Sequence, residues 1–313
     1  MLNYSHEEIK GILEEILKES NFTIKPVGNH SLKRHLVYEI ALESGKKYIF
    51  KLYYIDKRRA REIATLKLLE GSSVSCPSVY AYGNLDTGEQ WLITEWIEGE
   101  VLDCVMDKLS YENKINIFNT MGEELGKLHS FKVFEFIGEW DEGGIPINPV
   151  KDYREYFMRC SERNIDDIYN QKLPDEEIIS KAIDEIRSNY ELINSDVEPR
   201  LVHGDFDGRN ILVRRNNDTY EVSGIIDFET AYPRNVEQDF SSLYYRYFLD
   251  DKELEASFLR GYNKYLNIDG GFKERLYVYL LTFGVGNCSW AYVQAIDYYY
   301  GNLEFLKKLI KDN

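Results

Sequence analysis

Cysteine is scarce in this sequence, and its copies are not arranged in pairs. Cys76, Cys104, Cys160 and Cys288 stand far apart along the 313 residues. Zinc motifs and disulfide frameworks use cysteines at paired spacings, so the sequence predicts neither kind of site. We therefore expect reduced thiols and a cytoplasmic location.

Long apolar segments are also missing. The longest run, LYVYLLTFGVG at 276–286, is too short to span a bilayer and is typical of a buried helix. Residues 1–20 are polar and amphipathic, so we expect no signal peptide. No internal repeat or low-complexity linker is visible, and the chain is long enough for two lobes that share a cleft.

Positive charge is the third shortage. The chain has 38 basic and 54 acidic residues, which gives a net charge of −16. Such a surface repels nucleic acid and anionic membranes, so we expect neither as a partner, and it attracts cations, including polycationic small molecules. Acidity that serves solubility alone explains the same count, and this alternative stays open.

Apolar patterning divides the chain into two parts. Up to about residue 97 it predicts an amphipathic helix at 5–20, three strands, a helix at 56–71 and two more strands. Beyond that point helical spacing dominates, at 111–130, 151–168, 174–193, 235–249, 251–266, 272–298 and 302–311, with short apolar strands near 200–228. We predict an α+β fold with a β-rich N-terminal lobe (1–97), a crossing strand near Glu95–Gly99 and a mainly helical C-terminal lobe (98–313). A ligand cleft is expected between the lobes.

The stretch LVHGDFDGRNILV (201–213) places polar chemistry between two apolar runs. Asp205 and Asn210 lie five residues apart, as in the catalytic loop of protein kinases, where the Asp accepts the substrate's proton and the Asn holds magnesium. In GIIDFET (224–230), an apolar strand delivers Asp227, whose carboxylate can bind a magnesium ion at the phosphates. We predict Asp205 as the catalytic residue, and Asn210 and Asp227 as metal ligands.

The N-terminal part supplies candidates for nucleotide binding. Lys51 lies on the third predicted strand, where it can neutralise phosphates, and Glu62 on the next helix can hold it by an ion pair. The segment WLITEW (91–96) is the predicted lobe connector, whose backbone can bond an adenine edge. Within it Ile93, Thr94 and Trp96 are candidate contacts, and the bulk of Ile93 at the back of the base pocket favours ATP over GTP.

These motifs, in this order, resemble the aminoglycoside phosphotransferase and choline-kinase-like family. Its motifs H-G-D-x-x-x-x-N and I-D-[FW]-[DEG] stand at His203–Asn210 and Ile226–Glu229, and its helix motif is similar to LGKLH at 125–129. The resemblance implies a protein-kinase-like fold and an ATP- and Mg²⁺-dependent transfer of phosphate to a small-molecule hydroxyl. It further implies that Asp239 braces the catalytic loop and that His203 supports it structurally.

Two departures qualify this resemblance. A glycine-rich phosphate loop is absent, since GNHSLKRH contains only Gly28, and Ser31 and Asn29 are the substitute phosphate contacts that we expect. Glu229 stands where protein kinases have the D-F-G glycine, and no A-P-E segment follows. Both features argue against a protein kinase.

Sequence reasoning leaves the substrate open. The C-terminal helices and the 135–195 insertion are the expected contact regions, and Trp290 with neighbouring tyrosines could stack on a sugar or a quaternary ammonium. Acids that could bind ammonium groups are Asp250, Asp251, Glu253 and Asp297. Asp207 could face substrate or solvent, and Arg209 could neutralise phosphate or solvate the loop.

Three functional interpretations therefore stand side by side. The first is a kinase for an aminoglycoside-like or other cationic sugar or antibiotic, which would confer resistance if the substrate is a drug. The second is a metabolic kinase for choline, a thiosugar or an amino-alcohol. The third is a non-catalytic nucleotide-binding module, against which the intact set of Lys51, Asp205, Asn210 and Asp227 argues.

Overall fold

The computed structural model describes residues 4–28, 35–53, 57–217 and 219–311. The N-terminal part contains one sheet and two helices. Its elements are α1 (His6–Leu17), β1 (Phe22–Pro26), β2 (His35–Leu42), β3 (Lys47–Tyr53), α2 (Arg58–Leu69), β4 (Val79–Asn84) and β5 (Gln90–Glu95). The strands form an antiparallel sheet in the order β1-β2-β3-β5-β4.

Helix α1 begins at a capping box. The Ser5 hydroxyl accepts a hydrogen bond from the Glu8 backbone amide, and the Glu8 carboxylate accepts one from the Ser5 amide. Ile9 and Leu13, four residues apart, lie on one face of the helix and are buried against the sheet. The helix therefore covers one face of the sheet and leaves the other face free to form the cleft.

Alternation along the strands assigns side chains to these two faces. Phe50 on β3 and its partner Ile93 on β5 belong to the core under α1. Lys51 and its partner Leu92 point to the opposite face, which lines the cleft. Every second residue along these strands therefore faces the cleft, where a ligand could contact it.

The C-terminal part is mainly helical. Its helices are α3 (Leu102–Val105), α4 (Tyr111–Ser130), α5 (Tyr153–Gln171), α6 (Glu176–Ser188), α7 (Phe240–Leu243), α8 (Lys252–Tyr262), α9 (Phe272–Gln294) and α10 (Ile296–Lys311). Short strands interrupt them: β6 (Glu100–Val101), β7 (Arg200–Val202), β8 (Ile211–Asn216), β9 (Thr219–Ile225) and β10 (Tyr232–Arg234). Strands β8 and β9 form a hairpin that also pairs with β6, and β7 pairs with β10. The α+β fold with a β-rich first lobe and a helical second lobe is confirmed.

Helices α4 and α8 cross at very close range. A Cβ atom added to Gly122 would overlap the Phe258 carbonyl oxygen, and one added to Gly261 would overlap that of Asn119. Only glycine at both positions allows the two backbones to approach this closely. The crossing anchors the core beneath the loop of 203–210, because Phe258 also packs on Phe206 of that loop.

Three stretches differ from the sequence prediction in the type or the connection of their elements. The chain between Glu95 and Gly99 is not a strand: β5 ends at Glu95, and the next strand is the short β6. The predicted helix at 235–249 is a 3₁₀ turn, the short α7 and a π-helical turn at Tyr244–Phe248. The predicted helix at 272–298 ends at Gln294, since Ala295 has an extended φ of −157°, and α10 begins at Ile296 instead of 302. None of the described helices has both the length and the apolar character needed to cross a membrane.

Candidate active site

A cavity of about 1330 Å³ lies between the sheet and the helices. We call its two parts the sheet half and the helical half. The sheet half is lined by β2, β3 and β5 and by residues 95–97. The helical half is lined by α5, the segment 232–242, α9 and the start of α10. The loop of 204–210 and the segment 226–230 lie between the two halves.

Lys51 is held by three carboxylates at the floor of the sheet half. Its Nζ lies 2.9 Å from Glu62 Oε2, 2.6 Å from Asp227 Oδ1 and 2.8 Å from Glu229 Oε2. Burial works to lower the pKa of Lys51, but these carboxylates raise it well above its ordinary value. The lysine is therefore a fixed positive charge, and the predicted pair with Glu62 is present.

Glu229 is a site residue whose contacts the sequence reasoning missed. Besides Lys51 it binds Arg58, and His35 Nδ1 lies 3.4 Å from its Oε2. Burial acts to raise the pKa of Glu229, but Lys51, His35 and Arg58 together lower it. Its signal in the sequence is the Glu of IDFE at the point where protein kinases have glycine. This Glu adds a third carboxylate to the two, from Glu62 and Asp227, that contact Lys51.

Asp205 and Asn210 are brought together by the loop between β7 and β8. Asn210 Nδ2 donates to the Asp205 carbonyl at 2.8 Å and lies 3.3 Å from its carboxylate. Burial in the cleft raises the pKa of Asp205, and Arg209 opposes this effect. The side chain of Asp205 still keeps 41% of its surface exposed, so a ligand in the cavity can reach it.

His203 makes two hydrogen bonds that fix its tautomer. Its Nδ1 accepts from the Asp205 amide at 3.2 Å, and its Nε2 donates to the Ile226 carbonyl at 3.0 Å. Because an amide N–H only donates and a carbonyl only accepts, the proton must be on Nε2. Both ring nitrogens are occupied, so His203 connects the loop of 203–210 to the segment that carries Asp227.

Asp239 is buried beneath the same loop. Its Oδ2 accepts from the His203 amide at 2.7 Å and from His129 Nε2 at 3.0 Å, and its Oδ1 accepts from the Gly204 amide at 2.6 Å. Tyr262 hydrogen-bonds the other nitrogen of His129 at 2.9 Å. This network connects α4, α8 and the 3₁₀ turn at Val236–Asp239 to the backbone that precedes Asp205.

Asp207 faces neither substrate nor solvent, so both alternatives from the sequence are wrong for it. Its side chain is fully buried, and Arg209 Nη2 lies 2.6 Å from its Oδ2. The same Nη2 lies 2.8 Å from Asp205 Oδ1, so Arg209 bridges the two aspartates. The buried carboxylate of Asp207 needs a positive charge beside it, and this need explains the arginine at position 209.

In the connector segment 91–96, the structure contradicts one predicted nucleotide contact. Ile93 is completely buried in the core under α1 and is not among the residues that line the cavity, so its prediction as the wall of the base pocket is wrong. The strand period of two places Leu92 and Thr94 there instead. Thr94 and Trp96 both line the sheet half, and Lys47 Nζ lies 4.4 Å from the Trp96 ring centroid. Ser31 and Asn29, the predicted phosphate contacts, lie outside the described residues.

The acids proposed as ammonium ligands lie elsewhere. Asp250 pairs with Lys308, the Asp251 carboxylate caps α8, and Glu253 accepts from the Tyr111 hydroxyl at 3.3 Å. Neither these three nor Asp297 is among the described residues that line the cavity, so a ligand bound inside it would not contact them. Trp290, in contrast, does line the helical half.

Comparison with solved structures shows the same fold in aminoglycoside phosphotransferases. The structure of APH(4)-Ia superposes with a TM-score of 0.77 at 14% identity, covering 98% of this chain and 99% of that one. The GDP complex of aminoglycoside 2'-phosphotransferase-IIIa superposes with a TM-score of 0.73 at 17% identity, covering 99% of this chain and 100% of that one. Other APH(4)-Ia structures are ternary complexes of hygromycin B with AMP-PNP or ADP.

Curated relatives match over shorter segments. The KEOPS complex subunit Bud32 of Pyrococcus abyssi is 30% identical over 97 residues, which is 31% of this chain and 38% of that protein. Another relative shares 96 residues with this chain, which is only 16% of its own length. These local matches say nothing about the substrate.

The family model described as "Phosphotransferase enzyme family" matches residues 27–275, which include Lys51, the catalytic loop and Asp239. This range covers most of the chain and every site residue discussed above except those on α9 and α10 beyond residue 275. The chain therefore belongs to the phosphotransferase enzyme family and has the protein-kinase-like fold of the aminoglycoside phosphotransferases.

Proposed function

We propose that this protein is a Mg²⁺-dependent O-phosphotransferase that uses ATP or GTP to phosphorylate a hydroxyl group of a small molecule. The observation that carries the proposal is the arrangement of Asp205, Asn210, Asp227 and Lys51 around one cavity. Residues 1–97 would serve mainly nucleotide binding, and residues 98–313 catalysis and acceptor binding.

The sheet half is suited to a nucleotide. The connector backbone at 95–97 offers hydrogen-bonding groups to a base, and Thr94 and Leu92 form the wall beside it. Since Thr94 is smaller than the isoleucine that the sequence reasoning placed there, the bulk argument for ATP over GTP no longer applies. Lys51 then neutralises phosphate oxygens, and Glu62 holds it in position.

The donor atoms near the phosphates fit magnesium. Asn210, Asp227 and Glu229 offer only oxygen ligands, which this ion prefers, and the Asp227 side chain keeps 29% of its surface exposed. Glu229 Oε2 is buried, with the Lys51 ammonium at 2.8 Å and His35 Nδ1 at 3.4 Å as its polar neighbours. Magnesium, when bound, would withdraw charge from the phosphate oxygens and so favour cleavage of the terminal phosphate.

Asp205 would act on the acceptor. Its carboxylate accepts the proton of the acceptor hydroxyl while that oxygen bonds to the terminal phosphorus and the bond to the bridging oxygen breaks, releasing the nucleoside diphosphate. Most of the acceleration comes from positioning and charge neutralisation. Asn210, which binds both the carbonyl and the carboxylate of Asp205, fixes this orientation.

The test is ADP or GDP release by the purified protein across a panel of acceptors. The panel holds aminoglycosides, other hydroxylated antibiotics, choline, amino-alcohols and thiosugars, each with ATP or GTP and magnesium. We expect acceptor-dependent release with at least one class. The matched control is Asp205→Asn, which keeps the shape of the side chain and removes its charge.

Two results would argue for the alternatives. Nucleotide binding without release in the presence of any acceptor would favour the non-catalytic module. Turnover of choline or an amino-alcohol, without growth protection against aminoglycosides, would identify a metabolic kinase. Aminoglycosides stay in the panel because they are named in the structures that share this fold.

A further inference from the structure

The helical half of the cavity has few negative charges. Among its described lining residues Asp167 is the one carboxylate, and it is accompanied by the cations Arg163 and Arg234. The net charge of −16 is therefore not concentrated in the part of the cavity opposite the nucleotide. A wall of this composition attracts no polycation.

The acids between the two halves cannot make up for this shortage. Asp205 is paired with Arg209 at 2.8 Å and would receive the reacting hydroxyl. Asp227 and Glu229 are paired with Lys51. An ammonium group that leaves water without a carboxylate partner costs several kcal/mol, so a ligand with three or more such groups is strongly disfavoured here.

Aromatic rings form much of the same wall. Trp290 on α9 and Tyr298 on α10 have ring centroids 5.4 Å apart, at an interplanar angle of 32°. Asn287 holds both: it accepts from Trp290 Nε1 at 3.3 Å, and its Nδ2 donates to the Tyr298 hydroxyl at 3.3 Å. Together with Tyr156 and Phe283 this pair offers flat apolar surface to a ligand.

Two polar atoms of the wall are buried without a partner. They are Gln238 Oε1, on the turn that ends at Asp239, and Thr282 Oγ1 on α9. Both residues line the cavity although these two atoms are covered, so a side-chain rotation is needed to bring either atom to a ligand. A buried polar atom that lacks a hydrogen bond costs about 1–3 kcal/mol, which favours such a rotation when a ligand hydroxyl is present. A carbonyl and a hydroxyl match neutral hydroxyl groups and need no positive charge on the ligand.

From these three observations we infer that the phosphate acceptor is a hydroxylated molecule with an apolar face and at most one positive charge. Trp290 and Tyr298 stack on its apolar face, and Gln238 and Thr282 bind its hydroxyl groups. This inference rests on the proposed function, since it assigns the helical half to the acceptor. It replaces the polycationic acceptor that the acidic composition had suggested.

Tryptophan fluorescence tests this inference without requiring turnover. The full chain, with ADP and magnesium, is titrated with benzyl β-D-glucopyranoside as the low-charge probe and with neomycin B as the polycationic probe. We expect a saturable change in emission with the glucoside and none with neomycin B. Trp290→Phe should abolish the optical change, and Trp290→Ala should weaken glucoside binding, measured by equilibrium dialysis, at least about tenfold.

A charge-insertion variant sharpens the test. Thr282→Glu adds a carboxylate to the wall and should produce saturable binding of neomycin B where the unchanged protein shows none, whereas the neutral control Thr282→Gln should not. Saturable binding of neomycin B to the unchanged protein, tighter than that of the glucoside, would overturn the inference. So would the absence of any response to the glucoside, because a stacking site must bind it.

Failure of the proposed function would look different. In that case no acceptor would stimulate nucleoside diphosphate release, whatever the two probes do in the fluorescence titration.

Discussion

Asp239→Asn is the substitution that tests most sharply whether the catalytic loop is braced from below. The Asp239 side chain is 1% exposed and accepts three hydrogen bonds, from the amides of His203 and Gly204 and from His129. Asparagine has the same shape but only one oxygen. Its amide nitrogen would therefore face at least one of the three donors.

The loss in free energy of unfolding depends on which of the three donors can accept the new amide group as a partner. If the oxygen stays toward Gly204, the new amide nitrogen faces His129 and the His203 amide. His129 can move its proton to Nδ1, because that atom faces the Tyr262 hydroxyl, but a backbone N–H cannot adapt. One unsatisfied buried donor costs about 1–3 kcal/mol, and the loss of charge assistance in the remaining bonds adds about 1 kcal/mol. We expect the free energy of unfolding to fall by about 2–4 kcal/mol and kcat by about tenfold or more.

The assay is urea unfolding followed by circular dichroism, together with steady-state kinetics. Burial opposes ionisation of Asp239, but the hydrogen bond from His129 and nearby positive charge lower its pKa. Its contribution to stability is thus complete above the unfolded pKa of about 3.9 and is lost as the pH falls through the lower folded pKa. The stability gap between the two proteins should be full at pH 7 and should narrow below about pH 4.

The same substitution at an exposed acid provides the control. Asp250→Asn, at a side chain that is 81% exposed, should change the free energy of unfolding by less than about 0.5 kcal/mol. Asp239→Asn that unfolds like the unchanged protein and keeps its kcat would refute the reasoning.

Three further predictions concern the phosphate site, the base and the core. Glu229→Gln removes one carboxylate from Lys51 and should lower kcat/KM for the nucleotide about tenfold, with an unchanged value counting against the site. Arg209→Ala removes the charge that opposes the raised pKa of Asp205, so the acid limb of the pH–kcat profile should move to higher pH. Arg209→Lys keeps a positive charge there and should leave the acid limb close to its position in the unchanged protein. Gly122→Ala forces a methyl group against the backbone of α8 and should lower the free energy of unfolding by about 3 kcal/mol, and thermal unfolding close to that of the parent would contradict this packing.

The parts of the site that sequence reasoning predicted well depend on local spacing. Asp205 and Asn210 lie five residues apart on one loop between strands, so their proximity follows from the chain itself. Lys51 and Glu62 lie on a strand and the helix that follows it, an arrangement with few alternatives. Such short-range relations are readable without knowledge of the rest of the fold.

The errors concern which way a residue points after long-range packing. Ile93 and Thr94 are neighbours in an apolar strand, and only the position of α1 decides which face is core. Asp207 reads as an exposed loop acid, and its burial depends partly on Arg246, distant in sequence, whose Nε lies 3.9 Å from its Oδ2. The chain breaks between α9 and α10 at Ala295, with no glycine or proline there. The periodicity of 272–298 therefore could not show that this stretch belongs to two helices.

The central claim is that Asp205 acts on the acceptor hydroxyl during phosphate transfer. The most direct measurement compares kcat for nucleoside diphosphate release by Asp205→Asn and by Asp250→Asn, an exposed acid outside the cavity lining, with the best acceptor and saturating nucleotide. We predict a fall of about a hundredfold or more for Asp205→Asn, with nucleotide affinity retained, and a small change for Asp250→Asn. Turnover by Asp205→Asn at the rate of the unchanged protein would contradict the account.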